Sequence, residues 1–153
     1  MKEVEIFTDG ACSGNPGKGG YGAGLRYNGS TKELSAGYVS TTNNRMELLA
    51  AITALEALKE PCKVILTSDS KYLVDSVEKG WIEKWRKNNW YRTKNEKAKN
   101  VDLIKRLVSQ LERHEVRLVW VKGHPGHPEN ERCDYLATQA IMGDKLLDDI
   151  QTE

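Results

Sequence analysis

Val64-Ile65-Leu66-Thr67-Ser68-Asp69-Ser70 is the stretch from which the architecture can be worked outward. Its continuous apolar run fits a central strand covered on both faces. Ser68-Asp69-Ser70 then reads as a helix start. Upstream, Leu48, Ile52 and Leu55 recur at helical spacing in an Ala-rich background, which predicts a helix from Asn43 through about Leu58, ended by Pro61. Downstream, Tyr72, Leu73 and Val77 begin one helix, and Trp81, Ile82 and Trp85 suggest a short second one after Gly80. Val101, Ile104, Val108 and Leu111 form another helical stripe, and Val116 to Val121 reads as a strand. Cys133, Leu136, Ala137, Ala140 and Ile141 give a final helix.

The start of the chain follows a different period. Val4 to Thr8 reads as a strand entering an Asp9-Gly10 turn. Gly14 to Gly20 reads as a loop, and Tyr21, Ala23, Leu25 and Tyr27 alternate as a strand does. Asn28-Gly29 is a hairpin turn, and Leu34, Ala36 and Tyr38 alternate on the return. The expected fold class is therefore α/β, a five-stranded mixed sheet with three antiparallel strands and then two parallel ones, flanked by helices. One domain is expected over residues 1–143, with a basic protrusion at about 79–99 and an acidic, frayed tail at 144–153.

Composition narrows the function classes. No apolar run approaches the roughly 20 residues of a membrane span, and Met1 to Glu5 lacks the apolar core of a signal peptide. Cys12, Cys62 and Cys133 are odd in number and widely spaced, which argues against a disulfide framework and for a reducing cytoplasm. Nothing demands more than a monomer. The net charge of +1 conceals an asymmetry: residues 79–99 hold eight Lys or Arg against two Glu, a local +6. Trp81, Trp85, Trp90 and Tyr91 are interleaved with those cations, the composition of a nucleic-acid surface. The plainer alternative is a solvated helix face with some packed rings.

Four acids, Asp9, Glu47, Asp69 and Asp134, are the candidate chemistry. Ligands of open α/β sheets gather at the carboxyl ends of parallel strands, and Asp9 and Asp69 both follow strand ends. If those strands are parallel neighbours, the two carboxylates meet, and Glu47 in the first turn of the intervening helix can join them. Oxygen ligands select a hard cation such as Mg2+ or Mn2+. Each residue also has a plainer reading: Asp9 as a turn residue, Asn44 and Glu47 as a capping box, Asp69 as an N-cap, Asp134 as a solvated helix charge, His124 as an idle loop histidine. His124, His127 and Cys133 match no usual zinc set.

Phe7-Thr8-Asp9-Gly10, Gly14-Asn15-Pro16-Gly17, Thr41-Thr42-Asn43-Asn44-Arg45-Met46-Glu47, Thr67-Ser68-Asp69-Ser70, Trp120-Val121-Lys122-Gly123-His124 and Gly126 to Asp134 together resemble ribonuclease H of the bacterial type 1 kind. The resemblance spans about Glu5 to Ile141. It implies endonucleolytic cleavage of the RNA strand of RNA–DNA hybrids, giving 5′-phosphate and 3′-hydroxyl ends. It implies that Asp9, Glu47, Asp69 and Asp134 hold metal, with Asp9 shared between two Mg2+ ions (Mn2+ a possible substitute), and that His124 assists proton transfer and product release. It further implies that Cys12, Asn15 and Asn43 face the RNA strand, that Thr42 and Asn100 hold a DNA phosphate, and that Tyr72, Trp81 and Trp85 line the DNA channel. Lys71 stands where related proteins often carry another residue, and no base-contact role is carried to it. The competing function is a hybrid-binding module without catalysis.

Overall fold

Alternation in the first forty residues builds a long antiparallel ribbon, and the computed structural model, which describes residues 1–123 and 126–151, shows it in full. β1 (Lys2–Gly14), β2 (Gly17–Tyr27) and β3 (Ser30–Thr41) pair in sequence order. β4 (Cys62–Ser68) joins β1 in parallel, and β5 (Glu115–Trp120) joins β4 in parallel. The helices are α1 (Asn43–Glu56), α2 (Lys71–Glu78), α3 (Trp81–Lys87), α4 (Val101–Arg113) and α5 (Pro128–Met142). No helix among the described residues is long and apolar enough to cross a membrane.

The strand boundaries differ from the sequence reading in one way that matters for the site. Asp9-Gly10 is not a turn: β1 continues through it, with Asp9 opposite Gly22 and Gly10 opposite Tyr21. The Gly14–Gly20 loop shrinks likewise, because Gly17–Gly20 already belongs to β2. β4, however, stops at Ser68, which pairs Thr8. Asp9 is thus the first β1 residue beyond its parallel partner.

Helix α1 is the centre of the core. Met46, Leu48, Leu49, Ala50, Ala51, Ile52, Ala54 and Leu55 are all buried, because the helix lies between the sheet and α4. Its small alanines allow that close packing. α5 covers the opposite face of the ribbon. It can approach because Gly22 has no side chain: a Cβ there would fall 2.3 Å from the Cys133 carbonyl oxygen. The clearance sets how near α5, and with it Asp134, comes to β1.

The sheet has six strands among the described residues, not five, in the order β5-β4-β1-β2-β3-β6. The extra strand, β6 (Leu146–Leu147), runs parallel to β3 at Gly37 and Tyr38. It lies in the segment expected to fray. The physical reason is a buried cation. Arg45 on α1 is 2% exposed and binds Asp102 at 2.8 Å and Asp149 at 2.7 Å. Thr41 Oγ1 also donates to Asp149 at 2.6 Å. A buried guanidinium requires counter-charge, and the acidic tail supplies half of it. Replacing Arg45 with Met removes the cation shared by the two carboxylates. That change should cost about 3–5 kcal/mol in urea unfolding, and adding Asp149→Asn should recover part of the loss.

Candidate active site

Three carboxylates converge from three kinds of local structure. Asp9 projects from the interior of β1, Glu47 from the second turn of α1, and Asp69 from the junction between β4 and α2. One ligand oxygen from each lies within 4.8 Å of the others, the one such group among the described residues. Asp9 and Glu47 are buried, at 5% and 3% exposure. Gly10 makes the meeting possible, since a Cβ there would fall 2.7 Å from the Glu47 backbone nitrogen and 2.9 Å from its Oε1.

The capping residues are not the ones expected from sequence. Thr42, not Asn44, caps α1 by accepting from the Arg45 N–H at 3.3 Å, and Ser70, not Asp69, caps α2 by accepting from the Leu73 N–H at 3.1 Å. Glu47 sits two residues past the capping-box position, which Arg45 occupies. Both acids are therefore released from helix-end duty and left to the cluster.

The electrostatics are those of an anionic trap. Burial pushes the Asp9 carboxyl up to about 9, aided by the charge of Asp69 and by hydrogen bonding and charge from Asp134. Burial also raises Glu47 well above the ordinary carboxylate range, followed by the charges of Asp9 and Asp69, while the Gly10 N–H opposes the shift. Glu47 Oε1 is buried and lacks a hydrogen-bond partner among the described residues. An oxygen-only donor set, crowded and partly unsatisfied, fits a hard divalent cation. Asp134 is exposed on α5 and acts on the cluster from the Asp9 side. Cys133, weighed with the histidines as a zinc ligand, instead points its thiol at the Phe7 carbonyl, 3.2 Å away. His124 lies outside the described residues.

The remaining candidates fall into two groups that share the start of α1. Cys12 Sγ faces the Thr41 carbonyl at 3.4 Å, and Asn15 Oδ1 accepts from the Asn43 N–H at 3.1 Å. On the other side, Asn100 Oδ1 accepts from Arg45 Nη1 at 3.3 Å, and its Nδ2 donates to the Tyr72 hydroxyl at 3.2 Å. Trp81 and Trp85 on α3 lie 6.4 Å apart by ring centroid. Trp85 is 8% exposed and packs in the core, so the indole that α3 offers to solvent is Trp81, at 37%. Sequence reasoning gave no role to Arg45. It lies three residues before Leu48, in register with the Leu48, Ile52 and Leu55 stripe, and that placement was the available signal of a buried charge.

Comparison with known proteins resolves the fold family. The model of the RNase H family matches residues 1–142. The chain belongs to the ribonuclease H family. Relatives called ribonuclease H from Desulforamulus reducens and Escherichia coli are each 58% identical to it, covering 99% and 97% of this chain and 95% of their own. Among solved structures, LC9-RNase H1, described as a type 1 RNase H with the type 2 active-site motif, superposes with a TM-score of 0.84 at 30% identity, covering 95% of this chain and 74% of that one. LC11-RNase H1, solved with an RNA/DNA hybrid, gives 0.69 at 27% identity, covering 91% and 96%. The family's mixed sheet and helices are those described above.

The raised carboxyls make a signed prediction. Because Asp9 keeps its proton in the metal-free fold up to about 9, its penalty is absent below the unfolded pKa near 4 and grows as pH rises toward the folded value. In chelator, the melting temperature should fall between about pH 5.5 and pH 8.5. Asp9→Asn should flatten that fall and raise the alkaline melting point by roughly 3–6 °C. Thermal melts of both proteins across that range test it, and parallel curves would refute it.

Proposed function

We propose that the chain is an endoribonuclease that hydrolyses the RNA strand of RNA–DNA hybrids, leaving 5′-phosphate and 3′-hydroxyl ends. The observation that carries this reading is the trio Asp9, Glu47 and Asp69, held within 4.8 Å in a chain of the ribonuclease H family. The ions that fit such a set are Mg2+, with Mn2+ as a substitute. Asp9 interacts with both Asp69 and Asp134, so Asp9, Glu47, Asp69 and Asp134 are the residues that would hold the two ions, Asp9 being the acid common to both. Bound there, divalent cations supply charge neutralisation at the phosphate and activation of water. His124 is the proposed group for proton transfer and product release.

The protein's own residues do the selecting. Asn15 spends its carbonyl oxygen on the Asn43 N–H, which leaves its amide N–H groups and the exposed Asn43 side chain for the 2′-hydroxyl that marks RNA. Cys12 lies beside them at the Thr41 carbonyl. The DNA strand meets a phosphate pocket at Thr42 and Asn100. Thr42 Oγ1 accepts from Arg45 and keeps its own proton to donate, and Asn100 keeps one amide N–H beyond the one given to Tyr72. Tyr72 and Trp81 extend that surface, with Trp85 supporting Trp81 from beneath. One chain carries every proposed contact, so a monomer suffices. Three free cysteines, together with bacterial relatives, support a cytoplasmic location.

Cleavage of an end-labelled hybrid in Mg2+, abolished by chelator, is the direct test, with duplex RNA and duplex DNA as resistant controls. Asp9→Asn should bind hybrid and leave it intact. Unaltered cleavage by that variant would remove the acids from the chemistry, and cleavage by neither protein would leave only a hybrid-binding module.

The basic lobe makes a separate prediction. Lys84, Arg86 and Lys87 are exposed on α3. Replacing all three with Gln should weaken hybrid binding and lower the slope of log affinity against log salt by about 2–3. Turnover at saturating hybrid should change little. An unchanged slope would detach the lobe from binding.

A further inference from the structure

Of the three clustered carboxylates, two are fixed by regular structure and one is not. Asp9 is paired within β1, and Glu47 is locked in α1. Asp69 lies after the last residue of β4 and before the Ser70 cap of α2, past the final ladder pair Ser68–Trp120. Its restraint comes from the chain that leaves β5. Trp120 Nε1 donates to the Asp69 carbonyl oxygen at 3.0 Å, and the Val121 N–H donates to the Ser68 carbonyl oxygen at 3.0 Å. Gly123 closes in on the carboxylate, where a Cβ would fall 2.5 Å from Asp69 Oδ2. Trp120 is 41% exposed, so its ring lies partly at the surface beside Asp69. Its single polar hydrogen is spent on Asp69. The outer environment of the ring is set by Lys71, whose Nζ lies 4.9 Å from the ring centroid.

We propose that Trp120 is a positioning residue for Asp69: its indole N–H fixes the Asp69 peptide, and so the direction in which that carboxylate leaves the backbone toward Asp9 and Glu47. Lys71, set against the indole, limits the ring's swing. This inference rests on Asp69 being a metal ligand, as proposed above. A ligand whose backbone can rotate must be reordered each time a cation binds, so the loss of the N–H appears as weaker metal affinity rather than as lost substrate contact.

The test uses the full chain and Mg2+ alone as the first probe. Melting temperature is followed through a Mg2+ titration for the wild type, Trp120→Phe and Trp120→His. Phenylalanine keeps a ring and loses the donor, whereas the imidazole Nε2–H can occupy the place of the indole N–H. For Trp120→Phe the Mg2+ concentration giving half of the melting shift should rise on the order of tenfold. The half-saturating Mg2+ for hybrid cleavage should rise with it, while KM for hybrid and kcat at saturating Mg2+ stay close to wild type. Trp120→His should regain the metal response. A merely structural role would lower the melting point equally with and without Mg2+, and an unchanged half-saturation in Trp120→Phe would overturn the inference. A wild type whose melting point ignores Mg2+ would instead sink the metal reading of the cluster. Should Trp120→Phe fail to fold, Trp120→His decides alone: a wild-type-like metal response supports the inference, and a tenfold weaker one overturns it.

Discussion

Mutual repulsion among buried carboxylates is the constraint on which this architecture turns. Asp9, Glu47 and Asp69 offer oxygens within 4.8 Å of one another, and Asp9 and Glu47 are nearly sealed from water. Left free, like charges at such spacing would separate or take up protons. The fold forbids separation. β1 cannot bend away because β2 and β4 flank it, and α1 cannot slide because its sides are packed against the sheet and α4. The cost of the cluster is carried by the hydrophobic core that α1 organises. That is why the site sits where the sheet's parallel half meets its antiparallel half: there one strand continues, its neighbour stops, and a side chain can leave the ladder while its backbone stays in it.

A second charge problem is solved a few residues away with the opposite sign. Arg45 is buried on the same helix as Glu47, two positions earlier, yet it is satisfied by two carboxylates and the Asn100 amide oxygen. The two sites differ in what they leave open. The Arg45 network closes on protein groups and serves as a latch for α4 and β6. The acidic cluster has no cation of its own among the described residues, and one Glu47 oxygen remains unpartnered. A closed network stabilises, and an open one binds.

Much of this was legible in the sequence because periodicity and punctuation carry it. The change from strand period to helix period at Asn43, the apolar run of β4, and the final helix through Cys133 and Ala137 all sit where the patterns place them. Asp69 was legible as a residue between a strand end and a helix start, and its meeting with Asp9 followed from parallel pairing of β1 with β4. What was not legible depended on long-range geometry. Asp9-Gly10 has the composition of a turn, and only its pairing with Gly22 and Tyr21 of β2 shows that the ladder runs through it. The tail looked unanchored because its role is to neutralise Arg45, more than a hundred residues earlier. Trp120 carried no local sign of its hydrogen bond to Asp69.

Helix α1 ties these parts into one measuring device. Thr42 caps it, Asn43 opens it, Arg45 anchors it and Glu47 enters the acidic cluster from its second turn. At about 1.5 Å of rise per residue, Thr42 and Glu47 are roughly 7–8 Å apart along the axis. In the proposed function the DNA phosphate is held at one end of that interval and the RNA backbone at the other. A rigid helix then converts recognition of one strand into the position of its complement. The buried Arg45 latch keeps the interval constant, because it binds the helix start to both α4 and the chain's end. A flexible loop at the same place could supply every one of these side chains and still fail, since the spacing between the strands would vary with each thermal fluctuation. In that reading the burial of α1 serves strand discrimination as much as stability.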